Sequence, residues 1–308
     1  MLALPSLFGI TVLTFVLLRV IPGSAIDYQL GTSLGLTAEQ VTILKQRYGL
    51  DAPIWEQYAT WISNVVRGDL GISIRTGAPV RDLVLSRFPI TFELGFWALA
   101  IALALGLPIG ALAALRPKSR LDAAARIAGL IGLSMPSFWL GTLLILFFST
   151  VIHWLPNAIA YAAFTDDPAL NLQQNVLPSA TLGVIVAASI MRITRAAVLD
   201  VIALDHVTVA HSKGLSPALV FQRHVLRNAA IPIISIAGIM AGHLLTGAVV
   251  VEQVFNVPGV GRLLLTSILG RDYAVVEGSV LMAAAVFIVA NLIADLAYGF
   301  ADPRIRQR

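Results

Sequence analysis

Six apolar stretches divide this chain, and whatever it folds into must put them against something other than water. Crossing the hydrocarbon of a bilayer as a helix takes about 20 apolar residues, because every backbone amide must find its partner within the segment. The stretches are Leu2 to Ile21, with Arg19 near its end; Leu94 to Leu115 and Ile127 to Ile152, both uncharged; Leu177 to Met191, short unless its helix continues through Arg192 and Arg195; Ala229 to Val251; and Gly278 to Ala301, interrupted by Asp295. Charged residues make up 12% of the chain, where a soluble domain carries about 25%. The pattern predicts an all-α integral membrane protein of about six transmembrane helices. A signal peptide is the other reading of the first stretch, but a basic start and a clear small-residue cleavage site are both missing. With no cysteine, disulfides, thiol catalysis and cysteine-ligated metals are excluded.

Basic residues are retained on the cytoplasmic side of a membrane, so the loops report orientation. With the N-terminus inside, the inner segments hold 12 Lys and Arg residues: Arg116, Lys118, Arg120 and Arg126; Arg192, Arg195, Lys213, Arg223 and Arg227; Arg304, Arg306 and Arg308. The short outer loops hold 2, Arg262 and Arg271. Both termini are therefore predicted to be cytoplasmic. Residues 1–22 form the first span, 23–90 an outer hydrophilic segment, 192–228 an inner one, and 301–308 a cytoplasmic tail.

In the outer segment Thr37 and Gln40 have capping-box spacing, and a second helix is predicted from Asp51 and Pro53 to about Val66. Ile54, Tyr58, Trp61, Ile62 and Val65 share one of its faces. That face suits either a packed cap or a helix at the headgroup level, where Trp and Tyr are favoured. In the inner segment, DHVTVAHSKGLSPALVFQRHVLRNAAIP (205–232) carries apolar residues at near-helical intervals, interrupted by Gly214. Ser216 can cap a second helix and Pro217 suits its first turn. The expected product is a compact helix-turn-helix knob shaped to dock into a partner.

This inner segment resembles the EAA loop of permeases in binding-protein-dependent ABC importers, within the dipeptide, oligopeptide and nickel branch. LLRVIPG (17–23), YGLDAP (48–53), GDLGIS (68–73), LSMPSFWLG (133–141), LPSATLG (177–183), FNVPGVGRLL (255–264), RDYAVVEG (271–278) and DPRIR (302–306) extend the resemblance over nearly the whole chain. It implies a type-1 ABC transmembrane domain of MetI-like fold over 91–300, in a multi-pass protein of the bacterial inner membrane. It also implies a homologous second permease subunit, two ABC ATPase subunits and an extracytoplasmic solute-binding protein as partners. ATP and Mg would sit on the ATPases, with no cofactor or metal on this chain and no nucleic-acid partner. Thr208, Ala210, Lys213, Gly214, Leu215, Ser216, Arg223 and Arg227 would form the coupling site. Ala210 and Gly214 match the general motif, while Thr208, Val209 and Arg227 replace its Glu, first Ala and closing Pro. Members of this branch usually begin with a few basic residues, so the start at MLALPSLFG leads us to expect a start further upstream.

A few polar residues stand inside the apolar stretches. Asp295 and Asn291, one turn apart, suit a polar contact in a pathway or a pairing near the inner end. His243 suits a structural hydrogen bond better than a proton relay, and His206, His211 and His224 lie in the loop without a cysteine or acidic cluster to complete a metal site. Gly106 and Gly110, and Gly238 and Gly242, have the small-xxx-small spacing of closely packed helices, and Pro108, Pro136 and Pro232 are candidate kinks. An intramembrane protease using Ser134 and His243 lacks the expected glycine after its serine. A secondary transporter would carry more intramembrane charge and repeated halves. No G-x-x-x-x-G-K-[ST] loop occurs, so ATP is not bound here by that route.

Overall fold

The structure, a computed structural model, describes residues 3–20 and 52–301. The predicted Thr37–Gln40 cap and the DPRIR tail lie outside the described residues, and so does the side chain of Asp295. Within them the chain is helical apart from connecting turns and one isolated bridge, Ile72 to Pro79. The helices are α1 (Ala3–Val20), α2 (Ile54–Val66), α3 (Val80–Leu115), α4 (Arg120–Ser134), α5 (Ser137–Phe147), α6 (Pro168–Ile202), α7 (Asp205–Ser212), α8 (Pro217–Val220), α9 (Arg227–Val254), α10 (Val260–Leu269) and α11 (Tyr273–Ala301). Among the described residues four helices are long and apolar enough to cross a membrane unaided, and α4 with α5 supplies a fifth span if the bent pair counts as one. Helix α1 is apolar but shorter.

Two compact units share the chain. The first comprises residues 1–91 and 258–288. Its apolar centre joins Val80 and Val84 of α3 to Leu263 of α10 and Val275 of α11. Gly278 permits the approach, since a Cβ there would lie 2.5 Å from Val80 Cγ1. Helix α2 runs over Ile54–Val66 with Pro53 just before it and no side-chain cap, and its Tyr58 and Trp61 rings pack 5.1 and 5.7 Å from the fully buried Phe15 of α1. The packed-cap reading therefore describes Tyr58 and Trp61, while Trp55 stays 72% exposed. Arg19 lies 3.3 Å over the Phe15 ring, donates to Gln57 Oε1 at 3.0 Å and pairs with the buried Glu277 at 2.7 Å. A cation stacked, hydrogen-bonded and paired in this way is tolerated at the end of an apolar helix where a lone one is not.

The second unit comprises residues 92–257 and 289–308, with α6 as its central rod. The weak fourth stretch does continue through Arg192 and Arg195, forming an unbroken helix from Pro168 to Ile202. Its contact with α3 is set by glycines on both sides. A Cβ at Gly110 would lie 2.5 Å from Met191 O, one at Gly106 would lie 2.9 Å from Ala187 O, and one at Gly183 would lie 2.8 Å from Ala98 O. Packing is thus what the Gly106 and Gly110 spacing encodes.

The third stretch corrects the expectation of a single rod: α4 and the segment Ser137–Ile152 meet at 104°. Proline disfavours the helical region for its predecessor, and Met135 has φ −83 and ψ 122, while Pro136 opens α5. Pro108 and Pro232, by contrast, lie within unbroken helices. Predicted ends move outward as well. Helix α3 starts at Val80 rather than Leu94, and α11 starts at Tyr273 rather than Gly278.

Candidate functional site

At the C-terminal end of α6 the chain makes a small helical knob. Helix α7 presents Val207 and Ala210, one turn apart, to an apolar cluster with Ala114, Ala197, Val198 and Val201. Its other face carries the exposed Thr208 and Val209. Gly214 then adopts φ +77, a left-handed conformation that only glycine takes without cost, and donates to His211 O at 2.9 Å. Ser216 Oγ accepts from Leu219 N, and Pro217 opens α8, as the sequence predicts. From there a π-helical turn, Phe221–Leu226, runs without a break into α9. The expected knob is therefore not a separate pair of helices: α7 alone stands between two long rods, and the second half of the loop is the beginning of α9. Val220, Val225 and Ala229 add their side chains to the same buried cluster.

The predicted coupling residues divide by this packing. Thr208, Lys213, Gly214, Ser216, Arg223 and Arg227 are exposed, whereas Ala210 is buried and Leu215 half-buried beneath them. The first six form an outward surface and the last two its foundation. His206 and His224 have ring centroids 6.5 Å apart, and His206 lies 3.4 Å from Asn228, while His211 faces the carbonyl of Val207.

The His243 side chain is exposed on α9 and makes no hydrogen bond among the described residues. Asn291 is half-buried on α11. Among the described residues no hydrogen bond joins Ser134 to His243.

Several functional-looking groups escaped the sequence reading. Glu252 on α9 is fully buried, Glu277 is 4% exposed, and Glu93 on α3 is half-buried with a sequestered Oε1. Asn171, Gln174 and Asn175 are buried on successive turns of α6 and hold the preceding loop. Gln174 Nε2 donates to Ala160 O at 2.9 Å, and both asparagine amides donate to the Tyr161 hydroxyl at 3.1 Å. Burial pushes that hydroxyl's pKa up, against the hydrogen bond from Asn175, so it stays neutral at physiological pH. A second cluster binds α4 to α6. Arg195 Nε and Nη2 reach the two oxygens of Asp122 at 2.6 and 3.1 Å, Lys118 N donates to Oδ2 at 3.0 Å, and Ser119 caps the helix by accepting from Asp122 N. The S-x-x-D spacing of 119–122 was a legible cap; its partner 73 residues away was not.

A polytopic helical bundle that keeps a rigid, polar-faced knob on one end is the class of protein that the fold defines. The chain belongs to the family described as the inner membrane component of binding-protein-dependent transport systems, which matches residues 106–307, and the N-terminal component of the same systems matches residues 3–95. It is the membrane-spanning permease of an ABC importer in the inner membrane. Among its relatives, the dipeptide transport system permease protein DppB of Escherichia coli K12 is 38% identical, over 100% of this chain and 97% of that protein. The di/tripeptide permease DppB of Pseudomonas aeruginosa is also 38% identical, over 100% and 97%. The oligopeptide permease AppB of Bacillus subtilis is 36% identical, over 99% and 96%. The MetNI methionine ABC transporter, solved in inward-facing conformations, shares the fold with a TM-score of 0.57 at 17% identity, over 71% of this chain and 96% of that one.

Proposed function

We propose that this chain forms a translocation path for di- or oligopeptides together with a second permease, and that separate ATPases drive it through the knob. Relatives that cover the full length and are named for peptide transport support the substrate class. One observation carries the coupling reading: six exposed candidate residues stand on a buried apolar footing shared by the ends of α6 and α9. A load applied to α7 therefore reaches two long helices rather than a flexible loop. On this reading the knob and both termini are cytoplasmic, in keeping with the 12 to 2 distribution of basic residues. ATP and Mg are held by the ATPases, and an extracytoplasmic binding protein delivers peptide from the other side.

The test is affinity purification of the tagged chain from native membranes, with uptake of labelled dialanine measured in the same cells. Gly214→Trp puts a bulky side chain on the outward surface, where a Cβ meets nothing within 4 Å in this chain. Because φ +77 strains any such residue, Val209→Glu serves as an unstrained companion. Both variants are expected to insert normally, lose the ATPases and lose uptake. Recovery of wild-type chain alone from uptake-competent membranes would overturn the assignment, and so would ATPase retention with full uptake in both variants.

A further inference from the structure

A cavity of about 370 Å³ opens between α4 and α6, toward the end of the bundle that carries the knob. Its wall changes character with depth. Arg195, clasped to Asp122, marks the level at which α3 has ended and Lys118 begins the turn into α4. Arg126 and Arg192 border the cavity about one turn deeper, and beyond them Gly129, Leu130, Leu133 and Met191 make an apolar floor. The charge on this wall is unbalanced. Asp122 is the acidic group in contact with it among the described residues, and it is shared: Arg195 pairs with it at 2.6 Å and Arg126 at 3.8 Å, so one carboxylate stands against the three arginines of the wall. Arg192 has no acidic partner among the described residues. Two positive charges are thus left in excess on the wall, and the apolar part of the cavity is open to the surroundings, with Leu130 68% exposed on α4.

We infer that this cavity holds an anionic phospholipid, its phosphate between Arg126 and Arg192 and one acyl chain along Leu130, Leu133 and Met191. The order of the wall, cations at the level of the helix ends and alkyl groups deeper, is the order of a lipid read from headgroup to tail. Arginine suits the headgroup because its planar fork meets phosphate oxygens in pairs. Long side chains can also lift their charge toward the interface while their stems stay on apolar surface. Basic pockets between helices on the cytoplasmic side of a bilayer are where anionic headgroups are recognised. A zwitterionic lipid brings its own cation and leaves both guanidinium groups without net compensation. The inference adds a ligand to the permease and stands or falls independently of the peptide and ATPase readings.

The full-length chain, purified in mild detergent, is titrated with palmitoyl-oleoyl phosphatidylglycerol or phosphatidylcholine, and bound lipid is counted by native mass spectrometry. Wild-type chain is expected to retain phosphatidylglycerol over phosphatidylcholine. Arg126→Gln/Arg192→Gln is expected to weaken phosphatidylglycerol binding about 30-fold, the effect of two interfacial cations at their usual strength. Gly129→Leu keeps both charges and fills the floor, where even a Cβ comes within 2.9 Å of Met191 Cε; it is expected to lose the lipid as well. Arg67→Gln/Arg81→Gln removes the same charge elsewhere and is expected to bind as wild type does. Equal retention of both lipids, unchanged binding in the Arg126/Arg192 variant, or displacement by millimolar inorganic phosphate would overturn the inference. Loss of a co-purifying protein in place of lipid would overturn it too, by assigning the cavity to a protein interface.

Discussion

Adding one methyl group at Gly110 tests whether α3 and α6 meet backbone to backbone. A Cβ built there falls 2.5 Å from Met191 O and 2.9 Å from Thr194 Cβ. Ordinary carbon-to-oxygen contact needs about 3.3 Å, so the helices must part by roughly 0.8 Å along that line. The obstacle is a helix carbonyl, which cannot rotate aside as a side-chain tip does. Separation at this point loosens the contacts at Gly106 and Gly183 as well, since all three lie on the same pair of helices. Overpacking of this kind costs about 1–3 kcal/mol, a drop of roughly one to two decades in the folded-to-unfolded ratio at 1.4 kcal/mol per decade. Gly95→Ala on the same helix is the control, since nothing lies within 4 Å of its Cβ. It is expected to be neutral or to gain up to about 1 kcal/mol from helix propensity. Thermal unfolding in detergent, followed by fluorescence or by loss of the monodisperse peak, reads both. The reasoning fails if Gly110→Ala melts at or above wild type while Gly95→Ala melts below it.

Arg19→Gln leaves the buried Glu277 without its cation and is expected to lose about 3–5 kcal/mol of stability, most of it recovered in Arg19→Met/Glu277→Met; chemical denaturation of the purified chain checks the pair. Asp122→Asn is expected to lower the melting temperature by releasing Arg195, and Arg195→Gln should add less on that background than on wild type, in a double-mutant cycle read by the same melt. Val198→Ala removes two buried methyl groups from the footing of the knob and is expected to cost about 1.6 kcal/mol, with ATPase association reduced in parallel with α7 protection in hydrogen exchange. Ser216→Ala removes the cap of α8 at an expected cost of about 1 kcal/mol, detected as faster exchange of the amide of Leu219 with transmembrane helices unchanged.

How far the fold was legible depended on whether a signal was local. The cap and first turn at Ser216 and Pro217, the turn at Gly214 and the extent of α2 follow from single residues and their immediate neighbours, and each stands where its chemistry puts it. The angle at Pro136 was half legible. The proline marks the place, but 104° depends on what α5 packs against, including the contact of Gly141 with Phe255. The candidate coupling residues were legible as a segment, yet only the packing separates Ala210 and Leu215, the footing, from the exposed surface.

The largest omission has one cause. Glu93, Glu252 and Glu277 each lie a single residue outside a predicted span: the second was begun at Leu94, the fifth ended at Val251, and the sixth begun at Gly278. A hydropathy boundary stops at a charge because it treats the bilayer as the only environment available. A helix does not stop there when a neighbour can receive the side chain. Glu277 has Arg19, 258 residues away in sequence, and Glu252 is fully buried. Where the helix continues past the charge, the position marks a contact between distant segments rather than the edge of the membrane. Three carboxylates at three such edges mean that a chain that reads as poor in intramembrane charge keeps charge within its helices, and at Glu277 that charge ties α11 to α1. For a permease this has a mechanical consequence. The glycine contacts of α3 and α6 and the Arg19–Glu277 pair each tie together segments far apart in sequence, and such tied segments must move together.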